Sequence, residues 1–72
     1  PFAAALGEHL GRPHQHPGVE LLYVLKGSLT IKIGSEEFEL GAEDAIYFDS
    51  VVQHSYRRHG QKPCTGVIVT VP

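Results

Sequence analysis

"HQHPGVELLYVLKG", residues 14–27, sets two histidines one residue apart, turns at Pro17-Gly18, and continues into a glutamate and an apolar run closed by Gly27. From Val19 onward the period is two. Glu20-Leu21-Leu22-Tyr23-Val24-Leu25 is mostly apolar, the pattern of a central strand covered on both faces. Residues two apart in an extended segment share a face, so His14 and His16 aim their imidazoles into one space. The Pro-Gly turn brings the chain back, and Glu20 can enter the same interior. A buried carboxylate is costly unless something neutralises it. Either the three residues are ordinary groups of a solvated mouth, or they converge on a cation. Two nitrogens and one oxygen suit Zn, Mn, Fe, Ni or Cu.

The rest of the chain follows the same period. Leu29, Ile31 and Ile33 alternate with Ser28, Thr30 and Lys32, and Phe38 and Leu40 alternate with Glu37 and Glu39. Lys26-Gly27, Gly34-Ser35 and Gly41-Ala42-Glu43-Asp44 read as turns. Strands are expected at Ala45-Ile46-Tyr47-Phe48, at Gln53 to Arg57 and at Val67 to Val71, with a polar loop at residues 58–63 before the last. The opening "PFAAALGEHLG" reads as an irregular or edge-strand lead-in, since Gly7 and Gly11 limit any helix to a short one. About six short strands and no helix beyond two turns describe an all-β fold, a small antiparallel barrel or jelly roll. Residues 1–72 form a single domain.

Composition narrows the function. The net charge of −2 and the scattered Lys and Arg do not build a surface for a phosphate backbone. No apolar run approaches the ~20 residues of a membrane span, and no signal peptide is visible. A single cysteine, Cys64, excludes an internal disulfide and fits a reducing compartment, so the cytoplasm is expected. Cys64 has no evident cause for a lowered pKa and is not read as a nucleophile. A chain of 72 residues has a marginal core and needs support from a metal, a partner subunit or flanking sequence. With no Met and a start at Pro1, it is expected to be a fragment of a longer chain, and a homodimer is expected, through sheet pairing or exchange of the N-terminal segment.

A fourth ligand would come from elsewhere in the chain. His54 is the best candidate, because it is the other histidine in a strand-like context and shares a strand face with Tyr56. On the same parity, Arg58 is the arginine of the Arg57-Arg58 pair expected to face inward, toward an anionic ligand. Tyr47 and Tyr56 fit the barrel wall, where either hydroxyl could reach a bound molecule. His9 and His59 read as surface residues, and Glu36, Glu37 and Glu39 as a solvated strand face.

His14-x-His16, Glu20 and Gly27, with their spacing, resemble the first motif of the cupin superfamily. "GAEDAIYFDSVVQHSY", residues 41–56, resembles the second, with Asp44 and His54 in place. The glycine of that motif's turn is Glu43 here, its proline is Asp49, its second glycine Val51 and its final asparagine Arg58. The resemblance implies a β-barrel holding a divalent transition metal (Zn, Mn, Fe or Ni) on His14, His16, Glu20 and His54. "HPGVELLYVLKGSLTI", "YFDS" and the terminal "VTVP" are also similar to the C-terminal sensor cupin of bacterial helix-turn-helix regulators of the XRE type. That likeness implies a small-molecule effector, and DNA contact only through an N-terminal helix-turn-helix domain absent here. The alternative is a small metal-dependent enzyme of the dioxygenase, isomerase or decarboxylase class, whose chemistry needs open coordination sites on the metal. A metal-free structural barrel is the third reading. No general acid or base stands out in the motifs, which favours sensing.

Overall fold

A computed structural model describes residues 2–11 and 13–72, with the side chains of all these except residues 2–4, 8 and 9. The expected surface position of His9 therefore falls on a side chain outside the described ones. The strands are β1 (Phe2–Ala5), β2 (Val19–Lys26), β3 (Leu29–Ile33), β4 (Glu36–Leu40), β5 (Ala45–Asp49), β6 (His54–Arg58) and β7 (Thr65–Val71). A single 3₁₀ turn, Leu6–His9, follows β1. No helix among the described residues is long and apolar enough to cross a membrane.

Two antiparallel sheets face each other. One runs β1-β7-β2-β5 and the other β4-β3-β6. The fold is the all-β jelly roll that the alternation predicts, and the lead-in is an edge strand paired with β7. The inward residues of the two sheets meet in one core. Leu22, Val24 and Ile68 come from the larger sheet, and Leu29, Ile31 and Tyr56 from the smaller, with Leu6 and Cys64 filling one end. Burial pushes the Cys64 thiol pKa up, as expected of a packing residue.

Local chemistry fixes the corners. Gly27 has φ +82°, and a Cβ there would run into the Pro63 carbonyl, so the glycine that closes the first motif is needed for conformation and for space. The β3–β4 turn uses Gly34 at φ +60°, whereas the β4–β5 turn places Glu43 at φ 71°. Phe38 departs from its expected burial and stands exposed: β4 is the edge of its sheet, and its inward parity reaches past the opposing layer. Only Leu40 of that strand packs on the core.

β2 also departs from expectation. Its residues alternate between exposed and buried, so one face is covered and Val19, Leu21, Tyr23 and Leu25 of the other are exposed.

Candidate metal centre

Strand register assembles the polar cluster. Glu20 lies between Thr70 and Phe48 in one row across the larger sheet. His54 and Tyr56 occupy inward positions of β6, opposite Ile33 and Ile31. The segment that carries His14 and His16 is outside the named strands, yet it is tied to the start of β6. His14 and His54 exchange backbone hydrogen bonds of 2.7 and 2.9 Å, and the His16 amide donates to the Ser50 carbonyl at 2.9 Å. The carbonyl of Gly18 accepts from both the amide and the hydroxyl of Ser50, at 2.9 and 2.7 Å. Gly18 itself has φ +104°, and a Cβ there would strike the Val71 carbonyl.

His16, Glu20 and His54 each offer a donor atom, all within 4.8 Å of one another. Glu20 and His54 are almost fully buried, while His16 keeps 32% of its side chain exposed at the mouth. The ring of His14 lies 5.9 Å from that of His54, stacked, and 6.1 Å from that of Tyr56, so it lines the same chamber without joining the tight trio. Phe48 closes the floor with its ring 4.8 Å from that of His54.

Glu20 is well served with donors. The Tyr56 hydroxyl donates to Oε2, and the Thr70 hydroxyl donates to Oε1 at 3.2 Å. His16 Nε2 lies 3.2 Å from Oε1. Burial raises the carboxyl pKa, but Tyr56, His54, Thr70 and His16 together outweigh it and hold Glu20 below the ordinary carboxylate range. Tyr56 moves the opposite way: burial first, then its bond to the Glu20 carboxylate, push the phenol far above its usual value. The pair is a carboxylate with a protonated phenol.

His54 is where the cluster is incomplete. Its Nδ1 is 2.7 Å from the Val52 carbonyl, which only accepts, so Nδ1 carries a proton and Nε2 is the nitrogen turned inward. Nε2 is 2.9 Å from Glu20 Oε2, but not in hydrogen-bonding geometry, and it is buried without a partner. At that distance a neutral Nε2 and the carboxylate repel unless a cation lies between them and other donors, and a protonated imidazole is instead a charge that lowers the Glu20 pKa. Donors bonded at ~2.1 Å and at right angles sit ~3.0 Å apart. His16 Nε2 is 3.2 Å from Glu20 Oε1 and His54 Nε2 is 2.9 Å from Oε2, so each imidazole stands near that spacing from its own oxygen of the carboxylate. The donor set therefore fits a divalent transition metal, and the Val52 carbonyl fixes the His54 tautomer such an ion needs.

Two expected pocket residues are misplaced. Tyr47 is 76% exposed: it pairs with Leu21 on the outward parity of β5, while Ile46 and Phe48 face inward. Arg58 keeps the parity of His54 but is exposed, opposite Leu29 at the far end of β6. Four residues of strand put it ~13 Å from His54, too far to reach a molecule on the cluster. Arg57 pairs with Glu37 at 3.0 Å on the outside of the sheet. Tyr56 does belong to the chamber, bonded to Glu20. Thr70, Ser50 and Phe48 were not anticipated. A polar residue on the inward parity of the apolar strand "GVIVTV" was the available signal for Thr70; Ser50, in a loop, gave none.

A cleft of about 250 Å³ lined by Pro13, Lys32, Gly34, Gln53, His54 and Ser55 borders the cluster from the side. Lys32 and Ser55 are paired on the outward parity of the smaller sheet, so most of this cleft lies behind β6 rather than on the His54 donor. The donor geometry, not the cleft, marks the site. No curated protein and no solved structure matches the chain. The family model described as "Cupin domain" matches residues 4–70, nearly the whole length, and with the two facing sheets and the His/Glu cluster in place the chain belongs to the cupin family.

Proposed function

We propose that this chain is a metal-binding, small-molecule-sensing cupin domain, the regulatory part of a bacterial transcription regulator of the XRE type. The observation that carries the metal reading is the buried Nε2 of His54, unpartnered and turned toward the Glu20 carboxylate. His16, Glu20 and His54 would hold the ion, with His14 completing the set from the neighbouring ring position. An octahedral ion on three or four protein ligands keeps open positions for an effector, and a small carboxylate suits them. The exposed side of His16 gives such a molecule a way in. Regulation rests on the likeness of the first-motif strand, "YFDS" and "VTVP" to sensor cupins; DNA contact would belong to a helix-turn-helix domain outside these residues. A homodimer in the cytoplasm is the form in which the domain would act.

The test is elemental analysis and titration calorimetry with Zn, Mn, Fe and Ni on the wild type and on His14→Ala, His16→Ala and His54→Ala. One ion per chain is expected in the wild type, with affinity lowered more than about a hundredfold in His54→Ala, beyond the loss of an outer-shell partner. No binding of any of the four, or equal binding in all variants, rejects the metal reading. The loaded protein is then incubated with small carboxylates. A rise in melting temperature without consumption of the acid supports sensing, and turnover would move the assignment to a metal-dependent enzyme.

A further inference from the structure

The outer face of the smaller sheet is sealed at one row and open at the next. Thr30, between Glu39 and Arg57 in register, is buried, and its hydroxyl lies 3.4 Å from His59 Nδ1. In the neighbouring row, where Lys32 lies between Glu37 and Ser55, the cleft of about 250 Å³ opens. Backbone bonds tie its walls together. The Gly34 amide donates to the Gln53 carbonyl at 2.9 Å, pinning the β3–β4 turn to the start of β6. On the other edge of β6, the bonds exchanged by His14 and His54 hold Pro13 in place. A cleft held in this way is formed before any ligand arrives, which lowers the cost of binding. Its charge is unbalanced. Glu37, the carboxylate across from Lys32, is engaged by Arg57 at 3.0 Å, and among the described residues Lys32 makes no ion pair.

We propose that this cleft binds a small carboxylate carrying a short apolar group, at a position separate from the metal cluster. Lys32, Gln53 and Ser55 bring an ammonium, an amide and a hydroxyl to one space, and none of the lining residues is acidic. Donors gathered around a cation, with no carboxylate among them, suit an oxyanion. One ammonium balances a single charge, which favours a carboxylate over a phosphate. Pro13 offers an apolar wall to the rest of the molecule. The volume lies below the ~300 Å³ at which pockets for drug-sized ligands begin, so the guest is small. Lys32 and Ser55 stand on the outward parity of the sheet, whereas the His54 ring faces inward, bonded to the Val52 carbonyl. The two positions can therefore be filled at once. The cleft gives the domain a second place for a small molecule, and the inference does not rest on the metal reading.

The test is a titration with isovalerate, followed by amide shifts in nitrogen-edited NMR, on protein stripped of metal by a chelator and then dialysed. Shifts are expected at residues 32–34 and 53–55, with a dissociation constant in the millimolar range, and none with the uncharged amide of the same acid. Lys32→Met should weaken binding at least ~10-fold, the loss of one charge-assisted bond, and Ser55→Ala several-fold. Lys26→Met removes the same charge from the larger sheet and should leave binding unchanged. Lys32 is exposed, so its variant keeps the fold, which circular dichroism checks. Absence of shifts at these residues overturns the proposal. So does equal binding of the amide, or tighter binding of inorganic phosphate than of isovalerate. Equal losses in Lys32→Met and Lys26→Met overturn it too, since they mark a general attraction to positive charge. Shifts that arise only after metal loading place the carboxylate on the ion and overturn it as well, whereas a failure of metal binding leaves the expected result unchanged.

Discussion

The two sheets of this domain are built alike on the inside and differently on the outside. Inward, both present aliphatic and aromatic side chains to one core: Leu22, Val24 and Ile68 against Leu29, Ile31 and Tyr56. Outward, the smaller sheet carries Lys32, Glu37, Glu39 and Arg57, with Arg57 and Glu37 in an ion pair, while the larger sheet carries valine, leucine and tyrosine. Alternation thus has two meanings. In β3 the apolar residues Leu29, Ile31 and Ile33 mark the inward face, while of the outward pair Lys32 is exposed and Thr30 is buried beside His59. In β2 nearly every position is apolar, and which face the domain itself covers is fixed by the other sheet. The candidate metal site falls where the inner faces meet, because Glu20 is the one acidic residue in an inward position of that apolar strand.

The inner equivalence is tested most severely by truncation. Leu22→Ala and Ile31→Ala should each cost about 2–5 kcal/mol in urea unfolding, enough to leave a domain of this size largely unfolded. A loss below ~1 kcal/mol at either position would mean that the two sheets do not share one core. Tyr56→Phe comes next. It strips one buried donor from the Glu20 carboxylate, and should destabilise the metal-free protein by about 1.5–3 kcal/mol without altering the strand content seen by circular dichroism.

Acid titration separates the inside from the outside. The folded carboxyl of Glu20 lies below its ordinary value of 4.5, so its stabilising contribution is complete above that pH and is lost as pH falls through the folded value. The metal-free wild type should therefore lose stability below about pH 4.5 more steeply than Glu20→Gln. Glu37 is also lowered, by Arg57, but on an exposed face; Glu37→Gln should leave the pH profile unchanged within error. A common slope for both variants would remove the distinction. The smallest effects come from two turns. Gly34 and Glu43 both adopt positive φ, one without strain and the other with it. Glu43→Gly should stabilise by about 1 kcal/mol and Gly34→Ala destabilise by a similar amount, measured by thermal melting.

Much of this was legible in the residues. Period-two alternation and turn chemistry place the strands, and the HxH-turn-Glu spacing with a distant strand histidine selects His14, His16, Glu20 and His54, of which the last three bring their donor atoms together. What escaped depends on information that parity lacks. Tyr47 has a barrel-wall composition but the wrong parity relative to Phe48, which only the pairing with β2 reveals. Arg58 has the right parity and the wrong depth, since distance along a strand is as decisive as face. Phe38 has the right pattern on a strand with nothing above it. Ser50 and the Val52 carbonyl act through a loop, where period says nothing about who meets whom.

The backbone bonds between residues 14–18 and 50–54 have a kinetic consequence. They form a strap: one half of the donor set hangs on an irregular segment, and the other half sits on two strands. An ion bound by both halves would gain residence time from the strap, because His16 would move away from His54 and Glu20 only once the bonds to Ser50 and His54 open. The local free energy of that opening, smaller than that of global unfolding, would then govern the off-rate. Ser50→Ala removes the hydroxyl bond to the Gly18 carbonyl while every donor atom stays in place. It should shorten the ion's lifetime, in stopped-flow exchange against a chelator, far more than it slows capture.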